Sequence, residues 1–174
     1  MPAFRARNLL LVKVEESGSL AALGMNLLEN VIRDQVVNMV YLTRKCEFSA
    51  SHYYHNPEFT AEENQRIFGK CANLNGHGHN YTLEVTVKGE VNPKTGFVVD
   101  LKELKEILNR EVIEALDHRH LNKEVPEFFQ QIPTTENLAI AIWNRLQGKL
   151  RVAQLHRVRV YELPDLFVDF YGEP

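Results

Sequence analysis

His77 and His79 stand two residues apart in the run Asn75-Gly76-His77-Gly78-His79, and imidazoles at that spacing on an extended strand project from one face. They can converge on a single metal ion, and Gly76 and Gly78 leave room beside them. His52 ends an earlier alternating stretch in which Val40, Leu42, Cys46, Phe48 and Ala50 share its parity. If the two stretches pair antiparallel, the end of the first meets the start of the second and brings three imidazoles together. Neutral imidazole nitrogens suit Zn2+, and a three-histidine set leaves a fourth position open, as catalytic zinc sites do and structural ones do not. Cys71 lies six residues before His77 on a glycine-bounded loop. A nearby cation favours its thiolate, a usable base or nucleophile; as a fourth ligand it would instead close the site into a structural one.

Asp117 and His118 sit together in the run Leu116 to Asn122. They can serve the site only if folding or assembly carries them to Cys71; otherwise they are surface residues. Glu162 shares the parity of Val158 and Val160, so a buried position would leave a carboxylate needing a partner. A planar ligand edge with two N–H donors supplies a bidentate match, whereas a strand-end glutamate reaching solvent needs none. Cys46, on the apolar parity, reads as a core residue. His55, His120 and His156 show no convergence and are expected at the surface.

These side chains require a framework. Strands are expected over 40–50 and 77–88, where Tyr81, Leu83, Val85 and Val87 continue the face of His77 and His79. A polar loop joins them. A turn at Asn92, Pro93 and Gly96 leads into a short strand, Phe97 to Val99, and Asp100 with Glu103 reads as a capping box. Leu101, Leu104, Leu108 and Val112 keep helical spacing up to Leu116, and a second helix with a Thr cap follows Pro133, carrying Leu138, Ile142 and Leu146. Val158 to Glu162 and Phe167 to Tyr171 are the closing strands. The order predicts an α+β fold, an antiparallel sheet with two helices on one face.

A chain of 174 residues with 44% hydrophobic and 25% charged residues fits one globular domain. A net charge of -3 argues against wrapping nucleic acid, no membrane segment is visible, and a small metabolite is the expected partner. Two cysteines are too few for a disulfide framework and suit a reducing, cytoplasmic setting. Residues 1–38 carry apolar clusters but no chemistry and are expected to lie outside the fold. A transit peptide, or a start at Met25 or Met39, stays open there.

The runs FSASH, AEENQRIFGKCANLNGHGHNY, LDHRHLN, PTTEN, VYEL and a terminal YGE, in this order over nearly all of residues 39–174, resemble the 6-pyruvoyl-tetrahydropterin synthase family. The resemblance implies a T-fold (tunnelling fold) whose subunits close an oligomeric barrel, a homohexamer built from two trimers with sites at subunit contacts. It implies His52, His77 and His79 as Zn2+ ligands and Cys71 as the catalytic cysteine. Asp117 and His118 match the pair that tunes it, often from a neighbouring subunit. Glu162 matches the pterin anchor, also grouped with the proton relay, and Thr134, Thr135 and Glu136 match a segment lining the pterin pocket. Lys70 and Arg66 are candidates for gripping triphosphate. The implied reaction eliminates triphosphate from 7,8-dihydroneopterin triphosphate to give 6-pyruvoyl-tetrahydropterin. The related 6-carboxy-tetrahydropterin synthases of queuosine biosynthesis use the same substrate, fold and metal but also release acetaldehyde. They place three residues between the cysteine and the HGH run, where this chain has five. Leu163 and Pro164 depart from the family's usual threonine after the glutamate. A zinc-stabilised pterin-binding module without catalysis is the remaining alternative, and it predicts that metal loss unfolds or disassembles the protein.

Overall fold

The structure, a computed structural model, describes residues 38–172; apart from Asn38, the expectation for residues 1–38 lies outside the described residues. β1 (Met39–His52) and β2 (His77–Glu90) pair antiparallel along their length, with Met39 opposite Glu90 and His52 opposite His77. Between them lie helix α1 (Ala61–Phe68) and a 3-10 turn (Gly69–Ala72). α2 (Leu101–Leu108) runs on through a π turn (Asn109–Ile113) into a last turn, Glu114–Leu116. β3 (Arg119–His120) and the short α3 (Leu121–Glu124) follow, then α4 (Thr135–Leu146), β4 (Gln154–Leu163) and β5 (Leu166–Phe170). The sheet order is β3-β1-β2-β4-β5, antiparallel except where β3 joins β1 in parallel at Ala50 and Ser51.

Alternation decides which face is buried. Tyr81, Leu83, Val85 and Val87 of β2 and Val158 and Val160 of β4 are fully buried, and they pack in one core with Leu104, Leu108 and Leu116 of the α2 segment and Leu138, Ile142 and Leu146 of α4. Thr134 caps α4 by accepting from the Asn137 N–H, as its position before the apolar period requires. The opposite face of the sheet is polar. Arg159 grips Asp169 at 2.7 and 2.6 Å and lies 4.0 Å over the Phe167 ring, and Thr43 bonds Thr86 across the strands.

Four details differ from the sequence reading. The short strand β3 is not among the expected elements, and it joins in parallel a sheet predicted to be antiparallel. Residues Phe97 to Val99 form no strand; Val98 and Val99 are buried against the core from a bend that leads straight to the Asp100 cap. Asp100 accepts from the Lys102 N–H, whereas the reciprocal box forms at Thr60 and Glu63. The polar loop after β1 carries α1, a helix whose only buried residue is Asn64, so it shows no apolar period to read. Among the described residues, no helix is long and apolar enough to cross a membrane.

Leu83→Ala is expected to cost about 2–5 kcal/mol by opening a cavity in the central strand, checked by urea unfolding. Asp169 is held below its ordinary value chiefly by its hydrogen bonds to Arg159. The pair therefore adds stability above the unfolded carboxylate value of ~3.9 and loses it as pH falls towards the lower native value. Asp169→Asn is expected to lower stability by up to about 1 kcal/mol at pH 7, with the gap closing in unfolding curves taken below about pH 4.

Candidate functional site

The β1–β2 register sets His52 opposite His77 and Ala50 opposite His79, so three imidazoles share the core-facing side at one end of the sheet. Their ligand nitrogens lie within 4.8 Å of one another, with the Nε2 atoms of His52 and His77 3.2 Å apart. His52 is fully buried, and its Nδ1 lies 3.0 Å from the Pro133 carbonyl oxygen. A carbonyl only accepts, so Nδ1 carries the proton and Nε2 turns a lone pair towards the other two rings. Burial above all, then His77 and His79, pushes His52 down to about 4. It is neutral at physiological pH, as a metal ligand must be. His79 Nε2 is buried without a hydrogen bond although Glu162 Oε1 is 3.4 Å away. Buried ring nitrogens without a partner cost free energy, and a metal ion at the centre of the three would satisfy them. The donor set therefore fits a divalent transition metal.

Gly76 makes the turn into β2 possible. Its φ of +78° lies in the left-handed region, and a Cβ there would stand 2.9 Å from the His52 carbonyl oxygen. Cys71 sits in the 3-10 turn with its Sγ 3.9 Å from His77 Nε2. Its backbone carbonyl accepts from the Tyr54 N–H at 2.7 Å, which ties the cysteine turn to the chain just past β1. Burial, and then the Glu162 carboxylate, raises the Cys71 thiol above its ordinary value. The protein's own groups thus favour the neutral thiol, and a bound cation acts against them.

Glu162 lies near the end of β4 with its side chain 12% exposed, between the buried and the solvent-reaching alternatives. Its Oε2 accepts from the buried Thr135 hydroxyl at 2.9 Å, and Oε1 lies 3.5 Å from both His52 Nε2 and the Tyr54 hydroxyl. Burial, followed by the Glu162 charge, holds the Tyr54 phenol well above its ordinary value. Thr134 and Glu136 flank Thr135 at the start of α4, Glu136 exposed.

Asp117 and His118 are pinned to the edge of β1. Asp117 accepts from the Ser49 N–H at 2.8 Å, and the His118 N–H donates to the Ser49 carbonyl at 2.6 Å. His118 takes a φ of 57°, unusual for a residue with a Cβ. Asp117 Oδ2 lies 2.9 Å from His118 Nδ1, and the His118 side chain is 82% exposed. Among the described residues, no hydrogen bond joins His118 to Cys71. Lys70 and Arg66 are exposed.

Cys46 packs against the core, and burial raises its thiol to about 11. His55, His120 and His156 are partly buried rather than fully exposed. Both His120 ring nitrogens are buried without a partner, and the ring packs on Tyr53 beside Gly76. Tyr54 continues the parity of His52 two residues beyond it, but that parity alone does not mark it as a site residue; the approach of Cys71 and Glu162, distant in sequence, brings it to the site.

A sequence profile described as 6-pyruvoyl tetrahydropterin synthase matches residues 41–173. The chain is 45% identical over 132 residues to the human 6-pyruvoyl tetrahydrobiopterin synthase, covering 76% of this chain and 91% of the relative. It is 31% identical over 152 residues to a 6-carboxy-5,6,7,8-tetrahydropterin synthase of Rickettsia felis, covering 75% and 99%. The solved structure of Caenorhabditis elegans 6-pyruvoyl tetrahydropterin synthase superposes with a TM-score of 0.74 at 37% identity, over 79% of this chain and 98% of that one.

Gly76→Ala forces a Cβ into the left-handed region and against the His52 carbonyl. It is expected to cost about 1–2 kcal/mol of stability and to weaken metal binding about tenfold or more. Thermal unfolding and competitive chelator titration measure the two; unchanged metal affinity would show that this turn does not hold His77.

Proposed function

The chain belongs to the 6-pyruvoyl tetrahydropterin synthase family and is a lyase of that type, and we propose that it converts 7,8-dihydroneopterin triphosphate to 6-pyruvoyl-tetrahydropterin with release of triphosphate. The observation that carries this reading is the convergence of three imidazole nitrogens with a carboxylate and a thiol at one end of the sheet. Zn2+ is the ion we assign to His52, His77 and His79, because neutral imidazoles suit it and three ligands leave a position for substrate. Held there, it would act as a Lewis acid on the oxygens of the substrate side chain and acidify the C–H bonds beside them.

The chain's own residues take the remaining roles. Cys71, beside His77, is the base that removes the carbon-bound proton. Glu162 receives the N–H edge of the pterin, with Thr135 holding one carboxylate oxygen and Thr134 and Glu136 on the same wall. Asp117 orients the His118 ring through Nδ1 and leaves Nε2 facing outward as a proton carrier. Its exposure suits service to the site of a neighbouring copy. Among the described residues, the outer edge of β5, and that of β1 ahead of Ala50, have no partner strand. Pairing β1 of one copy with β5 of the next closes a barrel and removes both edges. A homohexamer of two such trimers is the assembly we infer. The partner is a small molecule, and two free cysteines suit the cytoplasm.

The higher identity to the human pyruvoyl enzyme than to the carboxy relative supports the pyruvoyl product. Incubating zinc-loaded protein with 7,8-dihydroneopterin triphosphate is expected to yield a pyruvoyl pterin, triphosphate and no acetaldehyde by mass spectrometry. A carboxypterin with acetaldehyde would transfer the chain to the queuosine branch. Cys71→Ala is expected to keep its zinc and lose at least about 100-fold in kcat; full turnover would remove the cysteine from the mechanism.

A further inference from the structure

Tyr54 touches three parts of the site at once. Its backbone N–H donates to the Cys71 carbonyl at 2.7 Å. Its ring meets His52 edge-on with centroids 4.9 Å apart and packs on Phe68 at 6.0 Å. Its hydroxyl reaches Glu162 Oε1 at 3.5 Å, while Thr135 donates to Oε2 at 2.9 Å.

That division of donors matters for what Glu162 can do. A carboxylate held through one oxygen still turns about its last side-chain bond, whereas a donor on each oxygen confines it to one plane. Each carboxylate oxygen has two acceptor directions, so a bond to the protein on each leaves the pair free to accept two parallel N–H groups from a planar ligand. Oε1 finds no donor in the nearest rings. His52 Nε2 stands 3.5 Å from it with a lone pair turned inwards, and His79 Nε2, 3.4 Å away, makes no hydrogen bond. The phenol is the hydroxyl that reaches Oε1, and packing against His52 and Phe68 restrains its ring.

We propose that Tyr54 is a positioning residue for pterin binding, its hydroxyl setting the plane in which Glu162 accepts the N–H edge of the ring. The proposal rests on the reading of Glu162 as the pterin anchor. It predicts that removing the hydroxyl weakens binding of the ring system and spares the proton-transfer steps, which belong to other side chains.

Tyr54→Phe deletes the hydroxyl and keeps the ring and the backbone bond. In zinc-loaded protein it is expected to raise KM for 7,8-dihydroneopterin triphosphate roughly five- to tenfold with kcat within about twofold. The Kd for 7,8-dihydroneopterin, which lacks the leaving group, is expected to rise by the same factor in a fluorescence titration of the same zinc-loaded protein. Zinc content and melting temperature should match wild type. Tyr54→Leu, which also removes the ring, should raise the Kd at least as far and lower the melting temperature. A wild-type protein that binds the dihydropterin without turning over the triphosphate would overturn the proposed reaction, and the Kd comparison would still decide on Tyr54. Normal wild-type turnover, with Tyr54→Phe unchanged in KM and Kd or reduced in kcat alone, would overturn the role of Tyr54 and leave the reaction standing.

Discussion

Backbone hydrogen bonding between β1 and β2 holds His52 across from His77, and every other feature of the site is arranged around that pairing. A strand's side chains alternate faces, so a slip of one residue would send His52 to the polar side of the sheet and dissolve the cluster. The register is protected by burial: Phe48, Ala50, Tyr81, Leu83 and Val85 share the face of the histidines and are all buried. Moving them into water would cost far more than any single site contact returns. The site thus inherits its precision from apolar packing along the same two strands.

At the end of that apolar face the chain concentrates polar groups that the core could not tolerate alone. His52 is satisfied at Nδ1 by Pro133, and Glu162 by Thr135, yet His79 Nε2 is left without a hydrogen bond. Such an arrangement is costly in the bare polypeptide and becomes favourable when a cation enters. The raised thiol of Cys71 has the same logic, since burial and Glu162 both oppose its ionisation. Thiol and carboxylate are therefore coupled electrostatically, and a cation held among the imidazoles would favour the thiolate.

The second histidine system is built differently. His118 is exposed on a backbone turn that uses both hydrogen-bonding groups of Ser49, a position suited to reaching outward from an edge. Among the described residues, the outer edge of β5 and the stretch of β1 ahead of Ala50 have no partner strand and present rows of backbone donors and acceptors. In the assembly proposed above, the contact that closes the sheet would also deliver the outward-facing pair.

Local pattern alone carried much of this protein's design. The alternation of β2 and β4, the helical spacing from Leu101 to Leu116, the Thr134 cap and the two-residue step from His77 to His79 are short-range properties, set by backbone periodicity and readable without partners. The meeting of His52 with His77 needed, beyond that alternation, the antiparallel pairing of the two strands, which the structure shows. What sequence could not decide depended on contacts between distant residues. α1 buries only the polar Asn64 and so shows no buried apolar stripe, which leaves its Thr60 cap as the mark of it; residues 97–99 look like a strand but find no strand to pair with; His120 loses solvent because Tyr53 and the Gly76 turn pack over it. Tyr54 joins the site only because the cysteine turn and the end of β4, 17 and 108 residues away along the chain, fold onto it. Periodicity is a property of one segment, whereas burial and hydrogen-bond partners belong to the pairs that folding brings together.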